Sequence, residues 1–243
     1  MFQFFVDPKQ IRKTDVLIMG KDVNHMKNVL RMRPGERVRV SDNEGRDFYC
    51  QIREVGREQV ILDILGEAEG TEPPVKITLF QGLPKGDKME TVIQKAVELG
   101  VSEIIPVAMR NCVVKLDQKK AQSKQIRWQA IAESAAKQSK RSIIPTIGPL
   151  MQFQDAAAYA KKLDVRLLPY ENQRGMAHTR KVLQKIKKGS TVGIFIGPEG
   201  GYASLEIEQV QEEMELISLG NRVLRTETAG LCALSMLIYA LED

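Results

Sequence analysis

The sequence of 243 residues is 43% hydrophobic and 28% charged, and its formal net charge is +5. These proportions exclude a disordered chain, a collagen-like chain and a disulfide scaffold, and the length allows two domains that each bury a core. Three scattered cysteines and only two histidines argue against a metal site and favour the reduced cytoplasm as the location.

The first 70 residues show the pattern of a small β-barrel. Short apolar stretches predict four strands, at 2–6, 38–41, 48–55 and 60–65. Residues 42–45 supply a hairpin turn. The acidic stretch 66–74 ends in two prolines, as expected of a linker. We therefore expect one domain over residues 1–70 and a second over residues 75–243.

Strands and helices alternate through the rest of the chain. The predicted strands are 76–81, 104–107, 143–147, 165–169, 191–196 and 216–219. The predicted helices are 87–99, 118–138, 153–162, 176–186, 204–213 and 226–241. Strands separated by helices run parallel and are covered on both faces, which predicts an α/β fold. The last helix is apolar but shorter than the roughly 18 residues of a membrane span.

The positive charge is concentrated in two basic runs. Residues 1–72 hold 12 Lys/Arg against 13 Asp/Glu, so the net excess lies after residue 72. Between Arg110 and Arg141 nine basic residues face only two acids. A second run covers residues 27–39 and contains Arg39 among five basic residues. Such runs suit phosphate binding, and a solvated helix face explains the charge equally well.

A glycine-rich loop follows the strand 191–196. The segment Gly197-Pro-Glu-Gly-Gly201 joins this strand to a helix that starts near residue 204. Ligands bind at such strand ends in open α/β sheets, because glycine lets the backbone approach them closely. The segment matches neither G-x-G-x-x-G nor a phosphate-binding loop with its lysine. Without further support, a tight strand-to-helix turn would explain it as well.

A second loop of similar chemistry lies between residues 217 and 229. Thr226 is placed to cap the last helix. Arg222 and Arg225 are not explained by capping, because the helix dipole disfavours positive charge at a helix start. We expect the two loops to form the walls of one pocket, with the arginines serving a ligand or substrate.

These motifs carry a resemblance that covers nearly the whole chain. The paired segments 197–201 and 219–229 resemble those of the SPOUT methyltransferases, and residues 25–31, 94–100 and 127–138 extend the likeness. More narrowly, the chain resembles the family that methylates N3 of a uridine in bacterial small-subunit (16S) ribosomal RNA. The resemblance implies a PUA-like barrel and an α/β domain ending in a trefoil knot. It also implies S-adenosylmethionine as cofactor and a homodimer that completes the pocket.

The resemblance further implies which residues bind the cofactor. Carried over by position, they are Leu168, Ile196, Gly197, Gly200, Gly201, Leu219, Gly220, Leu224, Thr226 and Ala229, with Pro198 shaping the loop. Uracil N3 carries a proton at neutral pH, so methylation requires stabilisation of the uracil anion. Arginine suits its carbonyl oxygens. Our hypothesis gives this role to Arg225, with Glu199 as a weaker candidate for accepting the proton.

The basic runs and the resemblance together predict RNA contacts. We expect Arg31 and Arg33 in the first domain, and Lys124 and Arg127 in the second, to contact phosphates of ribosomal RNA or of the small ribosomal subunit. No metal is needed, because a sulfonium methyl group is already activated. Membrane attachment is not expected.

Three alternatives stay open. The chain could be a ribosome-assembly factor that binds RNA without catalysis, and the intact glycines and Arg225 argue against this. It could be a related knotted methyltransferase that acts on another ribosomal nucleotide or on transfer RNA. A nucleotide-binding regulator is the third, and the missing phosphate-loop lysine disfavours it.

Overall fold

The computed structural model describes residues 1–242, which divide into two compact units. The first unit contains residues 1–72 together with 136–144, and the second contains residues 73–135 and the chain from 145 onward. Nothing in the sequence pattern predicts that residues 136–144 belong to the first unit.

The first unit is built on a five-stranded sheet that curls into a half-barrel, in agreement with the predicted small β-barrel. The strands are β1 (Phe2–Phe5), β2 (Asp15–Met19), β3 (Arg37–Ser41), β4 (Asp47–Val55) and β5 (Gln59–Ala68), in the order β1-β3-β4-β5-β2. β1 and β3 are parallel and the other pairs are antiparallel. Every second residue of β3 to β5 points into the core, as with Val38, Ile52 and Leu62.

Three features of this unit were not predicted. Strand β2 pairs with β5 at the edge of the sheet, and it is only five residues long, with Gly20 directly after it. It leads into a short helix, α1 (Lys21–Asn24), which continues as a π-helical turn over His25–Val29. β5 also extends into the predicted linker, because Gly66 to Ala68 pair with β4.

A buried polar network holds residues 136–144 in the first unit. Asp47 accepts hydrogen bonds from the hydroxyls of Ser41 and Ser142 and, at 2.7 Å, from Nη2 of Arg39. Glu72 pairs with Arg141 and accepts from the Ser142 backbone N–H at 2.9 Å. All of these groups lie within the first unit.

This network explains why the predicted strand 143–147 is wrong in extent. The backbone N–H of Ile143 donates to Glu72, and that of Ile144 donates to Asn43 Oδ1 at 2.7 Å. Those donors are therefore not available to a sheet. Only Thr146–Ile147 pairs as a strand.

The second unit contains a parallel sheet, as predicted. Its strands are β6 (Lys76–Gly82), β7 (Glu103–Ala108), β8 (Thr146–Ile147), β9 (Met151–Gln152), β10 (Val165–Pro169), β11 (Thr191–Ile196) and β12 (Glu215–Ile217). Their order is β12-β10-β11-β6-β7-β8, and the short β9 pairs with β7. All of these pairs are parallel. β6 and β11 are central, and the rings of Phe80 and Phe195 stack with centroids 4.2 Å apart.

Six helices accompany this sheet. They are α2 (Lys88–Glu98), α3 (Gln118–Ser139), α4 (Phe153–Ala160), α5 (Ala177–Gln184), α6 (Ser204–Val210) and α7 (Thr226–Leu241). The last residues of α3 belong to the first unit. α4, α5 and α6 end two or three residues before their predicted ends, where the chain tightens into short turns such as Leu163 N–H to Ala160 C=O. Among residues 1–242, no helix is both long and apolar enough to cross a membrane.

The strand order places three carboxyl ends side by side. β12, β10 and β11 are neighbours in the sheet, so the loops that follow them leave the same edge. Ligand sites of parallel α/β sheets lie at this edge.

Candidate active site

A cavity of about 500 Å³ opens at the carboxyl ends of β10, β11 and β12. Its walls come from three loops, over residues 169–174, 196–202 and 218–226. The volume falls in the range of small-molecule sites, roughly 300 to 1,000 Å³. The sequence predicted the second and third loops as walls of one pocket, and both line this cavity.

Two glycines set the shape of these loops. Gly201 has φ +66° and Gly220 has φ +109°, values that side-chain-bearing residues rarely adopt. At the edge of the glycine loop, a Cβ added to Gly82 would lie 2.8 Å from the backbone nitrogen of Pro198. The end of β6 and the glycine loop therefore lie too close together to admit a side chain at position 82.

A chain of buried hydrogen bonds joins the glycine loop to α7. The Thr226 hydroxyl donates to the Gly197 carbonyl at 2.6 Å and accepts from Nε2 of Gln81 at 2.9 Å. Thr226 therefore does not cap α7 as predicted, because its hydroxyl is used by the neighbouring loop. Arg225 is the residue that precedes the helix, and its carbonyl accepts from the backbone N–H groups of Thr228 and Ala229.

Three arginines line the cavity without an acidic partner. Arg174, Arg222 and Arg225 all contribute to its wall, and none forms an ion pair within residues 1–242. The backbone of residues 221–224 also makes no hydrogen bond to any part of the described chain. Unpaired cations and free backbone groups are thus available to a polar or anionic ligand.

Glu199 is in the cavity wall but is already engaged. Its Oε1 accepts from the Lys85 backbone N–H and from Lys88 Nζ, each at 3.0 Å. Lys88 also pairs with Glu227 at 3.3 Å. Burial raises the pKa of Glu199, but these hydrogen bonds outweigh it and hold the pKa below its ordinary value. Such a carboxylate is a weaker proton acceptor than expected.

The structure brings together most of the residues assigned to the cofactor. Eight of the ten line the cavity, and the exceptions are Leu168 and Gly200. Leu168 is fully buried in β10. Gly200 packs against Asn111, whose Nδ2 donates to the carbonyls of Gly200 and Gly201 at 3.0 and 3.2 Å.

One wall of the cavity was missed by the sequence analysis. Tyr170, Glu171 and Arg174 follow β10 and line the cavity, as does Tyr202. The signal was the neighbouring position of β10 and β11 in the sheet. Strand order cannot be read from the sequence alone, because a series of parallel strands does not reveal which of them are adjacent in the sheet.

The residues assigned to RNA differ in their availability. Arg31 and Arg33 are exposed in the first unit. In the second unit, Arg127 Nη2 is paired with Glu90 Oε1 at 2.8 Å, and Lys124 Nζ lies 5.7 Å from the centre of the Trp128 ring. Arg39 and Arg141 belong to the basic runs but are buried in ion pairs. Counting charges therefore overstates the free positive surface.

Metal ligands are not clustered in the described residues. Residues 1–242 contain no group of three His, Cys, Asp or Glu side chains that could hold a metal ion. Burial, together with the Asp63 carboxylate, raises the pKa of Cys50 to about 12. Burial also raises the pKa of Cys112. Both thiols stay protonated at neutral pH and are poor metal ligands.

Comparisons with known families match both units. The model of an RNA methyltransferase domain matches residues 71–238. The model of an RNA methyltransferase PUA domain matches residues 18–65.

Comparisons with individual proteins match along the full chain. A Bacillus subtilis protein named ribosomal RNA small subunit methyltransferase E is 36% identical, over 100% of this chain and 98% of its own. A crystal structure of the protein of the same name from Neisseria gonorrhoeae, bound to S-adenosylmethionine, has 31% identity and a TM-score of 0.82, over 98% of this chain and 96% of its own. A Legionella pneumophila methyltransferase solved with the same cofactor has 31% identity and a TM-score of 0.84, over 98% of this chain and 97% of its own.

Proposed function

The chain belongs to the ribosomal RNA small subunit methyltransferase E family, and from that premise we propose that it transfers a methyl group from S-adenosylmethionine to N3 of a uridine in 16S ribosomal RNA. The observation that carries the proposal is the cavity at the ends of β10, β11 and β12, with the unpaired Arg225 in its wall. The enzyme would act in the cytoplasm, where ribosomes are assembled.

The residues of the cavity fit this cofactor. Ile196, Leu219, Leu224 and Ala229 provide an apolar surface suited to an adenine ring. The free backbone groups of residues 221–224 suit the polar edges of a nucleoside. These residues, with the glycines 197, 201 and 220 and with Thr226, would hold the cofactor, and Gly200 and Leu168 would support the wall from behind. When bound, S-adenosylmethionine supplies a methyl group activated by its sulfonium sulfur.

The protein's remaining task concerns the acceptor base. Uracil N3 becomes nucleophilic when its proton leaves and negative charge spreads onto the adjacent carbonyl oxygens. The Arg225 guanidinium is permanently charged and can donate hydrogen bonds to one of those oxygens, which leaves the lone pair of N3 open to the methyl group. No described acid competes for it. Arg225 would therefore stabilise the anion and orient the base.

Glu199 fits a positioning role better than proton acceptance. Its Oε1 is occupied by Lys85 and Lys88, and these contacts tie the glycine loop to the start of α2. With its pKa lowered, it binds a proton weakly at neutral pH. We propose that the N3 proton leaves to solvent as Arg225 stabilises the anion.

The first unit would bind the RNA backbone. Its domain is proposed to cover residues 1–70, and the exposed Arg31 and Arg33 would contact phosphates. We also propose that Lys124 and Arg127 contact phosphates. Arg127 would contribute less, because it is paired with Glu90. The methyltransferase domain is proposed to cover residues 75–243, apart from residues 136–144, which belong to the first unit.

The last helix supports two further parts of the proposal, a trefoil knot and a homodimer. The knot is supported by the Thr226–Gly197 bond, which sets the start of α7 against the loop after β11. The homodimer is supported by the outer face of α7, where the half-buried Leu231 and Met236 and the 89% exposed Tyr239 leave apolar surface accessible to solvent. That surface continues from Ala229 in the cavity wall. A second copy covering it would help to complete the pocket.

Methylation of defined RNA tests the proposal. The purified protein is incubated with labelled S-adenosylmethionine and with small ribosomal subunits, free 16S ribosomal RNA or transfer RNA from cells lacking the gene. We expect label in ribosomal RNA, and 3-methyluridine in its nucleosides by mass spectrometry. A different methylated nucleoside or label in transfer RNA would favour the related-methyltransferase alternative. RNA binding without methyl transfer would favour the assembly factor.

A further inference from the structure

The second unit contains another cavity beside the first, of about 740 Å³. We call it the second cavity. Residues 108–116, the β9–α4 junction and α6 form it, and its lining includes the cations Arg110 and Lys115 and one carboxylate, Glu206. None of the assigned site residues lies in its wall.

The two cavities share a thin wall. Arg110 and Cys112 line the second cavity, and Asn111 between them donates to the carbonyls of Gly200 and Gly201 at 3.0 and 3.2 Å. Gly201 lines the first cavity. A Cβ added to Gly200 would lie 3.0 Å from Cβ of Asn111, so the two loops are in close contact. The Asn111 segment and the glycine loop, in direct contact, therefore separate the cavities.

Aromatic side chains form a second shared wall. Phe153 lines the second cavity and Tyr202 lines the first, and their rings meet edge to face with centroids 6.4 Å apart. A molecule in the second cavity would thus be a close neighbour of the base in the first.

The charge of the second cavity is positive. Arg110 and Lys115 are exposed and have no ion pair within residues 1–242. The one carboxylate in the lining, Glu206, is engaged, because its oxygens accept from the backbone N–H groups of Arg110 and Ala203 at 2.8 Å each. Two free cations face no free acid, which suits a phosphate.

We propose that the second cavity binds the nucleotide adjacent to the methylated uridine in the RNA strand. Arg110 and Lys115 contact its phosphates, and the amide of Gln209 and the exposed Leu205 meet its base. Lys119 extends the positive surface along α3 for the following phosphate. The inference rests on the proposed function, since it names the RNA subsite of the same reaction.

Substitution of the two cations tests the subsite. The double variant Arg110→Ala/Lys115→Ala is compared with wild type and with Arg180→Ala, which removes an exposed cation from α5 outside both cavities. We expect the RNA affinity of the double variant to fall at least about tenfold, and the slope of log K against log salt to shrink by roughly 1.4, for two lost contacts to a single strand. Arg180→Ala should match wild type, and cofactor affinity should be unchanged in both variants.

The outcomes separate this inference from the proposed function. If wild type transfers no methyl group to ribosomal RNA, the proposed function fails. If wild type methylates RNA and the double variant keeps the wild-type RNA affinity and salt slope, only the subsite is wrong. Irradiation of RNA containing 4-thiouridine provides a check that does not depend on variants. Crosslinks within residues 108–116 or 205–209 support the subsite, and crosslinks only elsewhere overturn it.

Discussion

The hydroxyl of Thr226 lies 2.6 Å from the carbonyl oxygen of Gly197, so the first residue of α7 is bonded to the first residue of the glycine loop. Gln81 completes the contact from β6. The two loops that wall the cavity are therefore joined at this point, and Arg225 is the direct neighbour of the bonded Thr226.

Removal of that hydroxyl should loosen the cavity. Thr226→Val keeps the shape of the side chain and loses both hydrogen bonds, whereas Thr226→Ser keeps them. For the valine variant we expect the Kd for S-adenosylmethionine to rise by up to about 30-fold, since each of the two lost bonds contributes about 1 kcal/mol. Calorimetry of both variants measures this. Equal affinity of the two would contradict the role of the bond.

Arg225→Ala should lower kcat by about 100- to 1,000-fold, the usual cost of losing a donor to a developing anion. Cofactor affinity should change little, because the guanidinium serves the base. Arg225→Lys should recover only part of the rate, since an ammonium keeps the charge without the paired donors. Single-turnover assays with small-subunit RNA give these rates. A wild-type rate for the alanine variant would remove Arg225 from the mechanism.

Glu199→Gln should weaken cofactor binding a few-fold and leave kcat at saturating cofactor within about threefold, because the glutamine oxygen can still accept from Lys85. If Glu199 were a general base, its loss would instead lower kcat about 100-fold or more and remove the acid limb of the pH–rate profile.

The free energy of unfolding of the wild type and of Glu199→Gln should also respond differently to pH. A carboxyl whose pKa is lowered by folding stabilises the fold above its ordinary value of 4.5, and this stabilisation disappears as the pH falls through the lowered value. Thermal unfolding at pH 3 to 7 should show a smaller pH dependence for the variant.

Asp47→Ala should destabilise the protein by about 3–5 kcal/mol, because it leaves the buried Arg39 guanidinium without its counter-charge. Asp63→Ala is a matched control, since Asp63 pairs with Arg53 at the exposed surface. That pair should contribute about 0–1 kcal/mol. Chemical denaturation of both variants measures the difference, and similar losses would show that the network around Asp47 adds little.

Tyr239→Glu should shift the protein towards the monomer if the outer face of α7 is covered by a second copy. Burial of a carboxylate in an apolar interface is strongly unfavourable. Ile126→Glu, which adds the same charge on an exposed part of α3, should leave the oligomeric state unchanged. Sedimentation velocity distinguishes the two, and a wild-type mass for Tyr239→Glu would argue against this surface.

The sequence predicted the parallel sheet because buried strands and helices alternate with clear turn residues between them. It missed β2, an edge strand of only five residues that pairs with the distant β5, and it missed the cavity wall after β10, whose place beside β11 depends on strand order. It also overcounted free charge, because ion pairs such as Arg127–Glu90 join residues that are 37 positions apart. Local patterns report local structure, and these failures all concern contacts between distant segments.

Residues 136–144 give the first unit an unusual dependence on the rest of the chain. A peptide ending at residue 72 would lack Ser142 and Arg141, and would therefore leave the carboxylates of Asp47 and Glu72 short of donors. The half-barrel is thus not a module that can be cut out and grafted at its carboxyl terminus. Exchange of the first unit between relatives would have to carry two pieces of sequence at once, one of which lies within the sequence of the second unit.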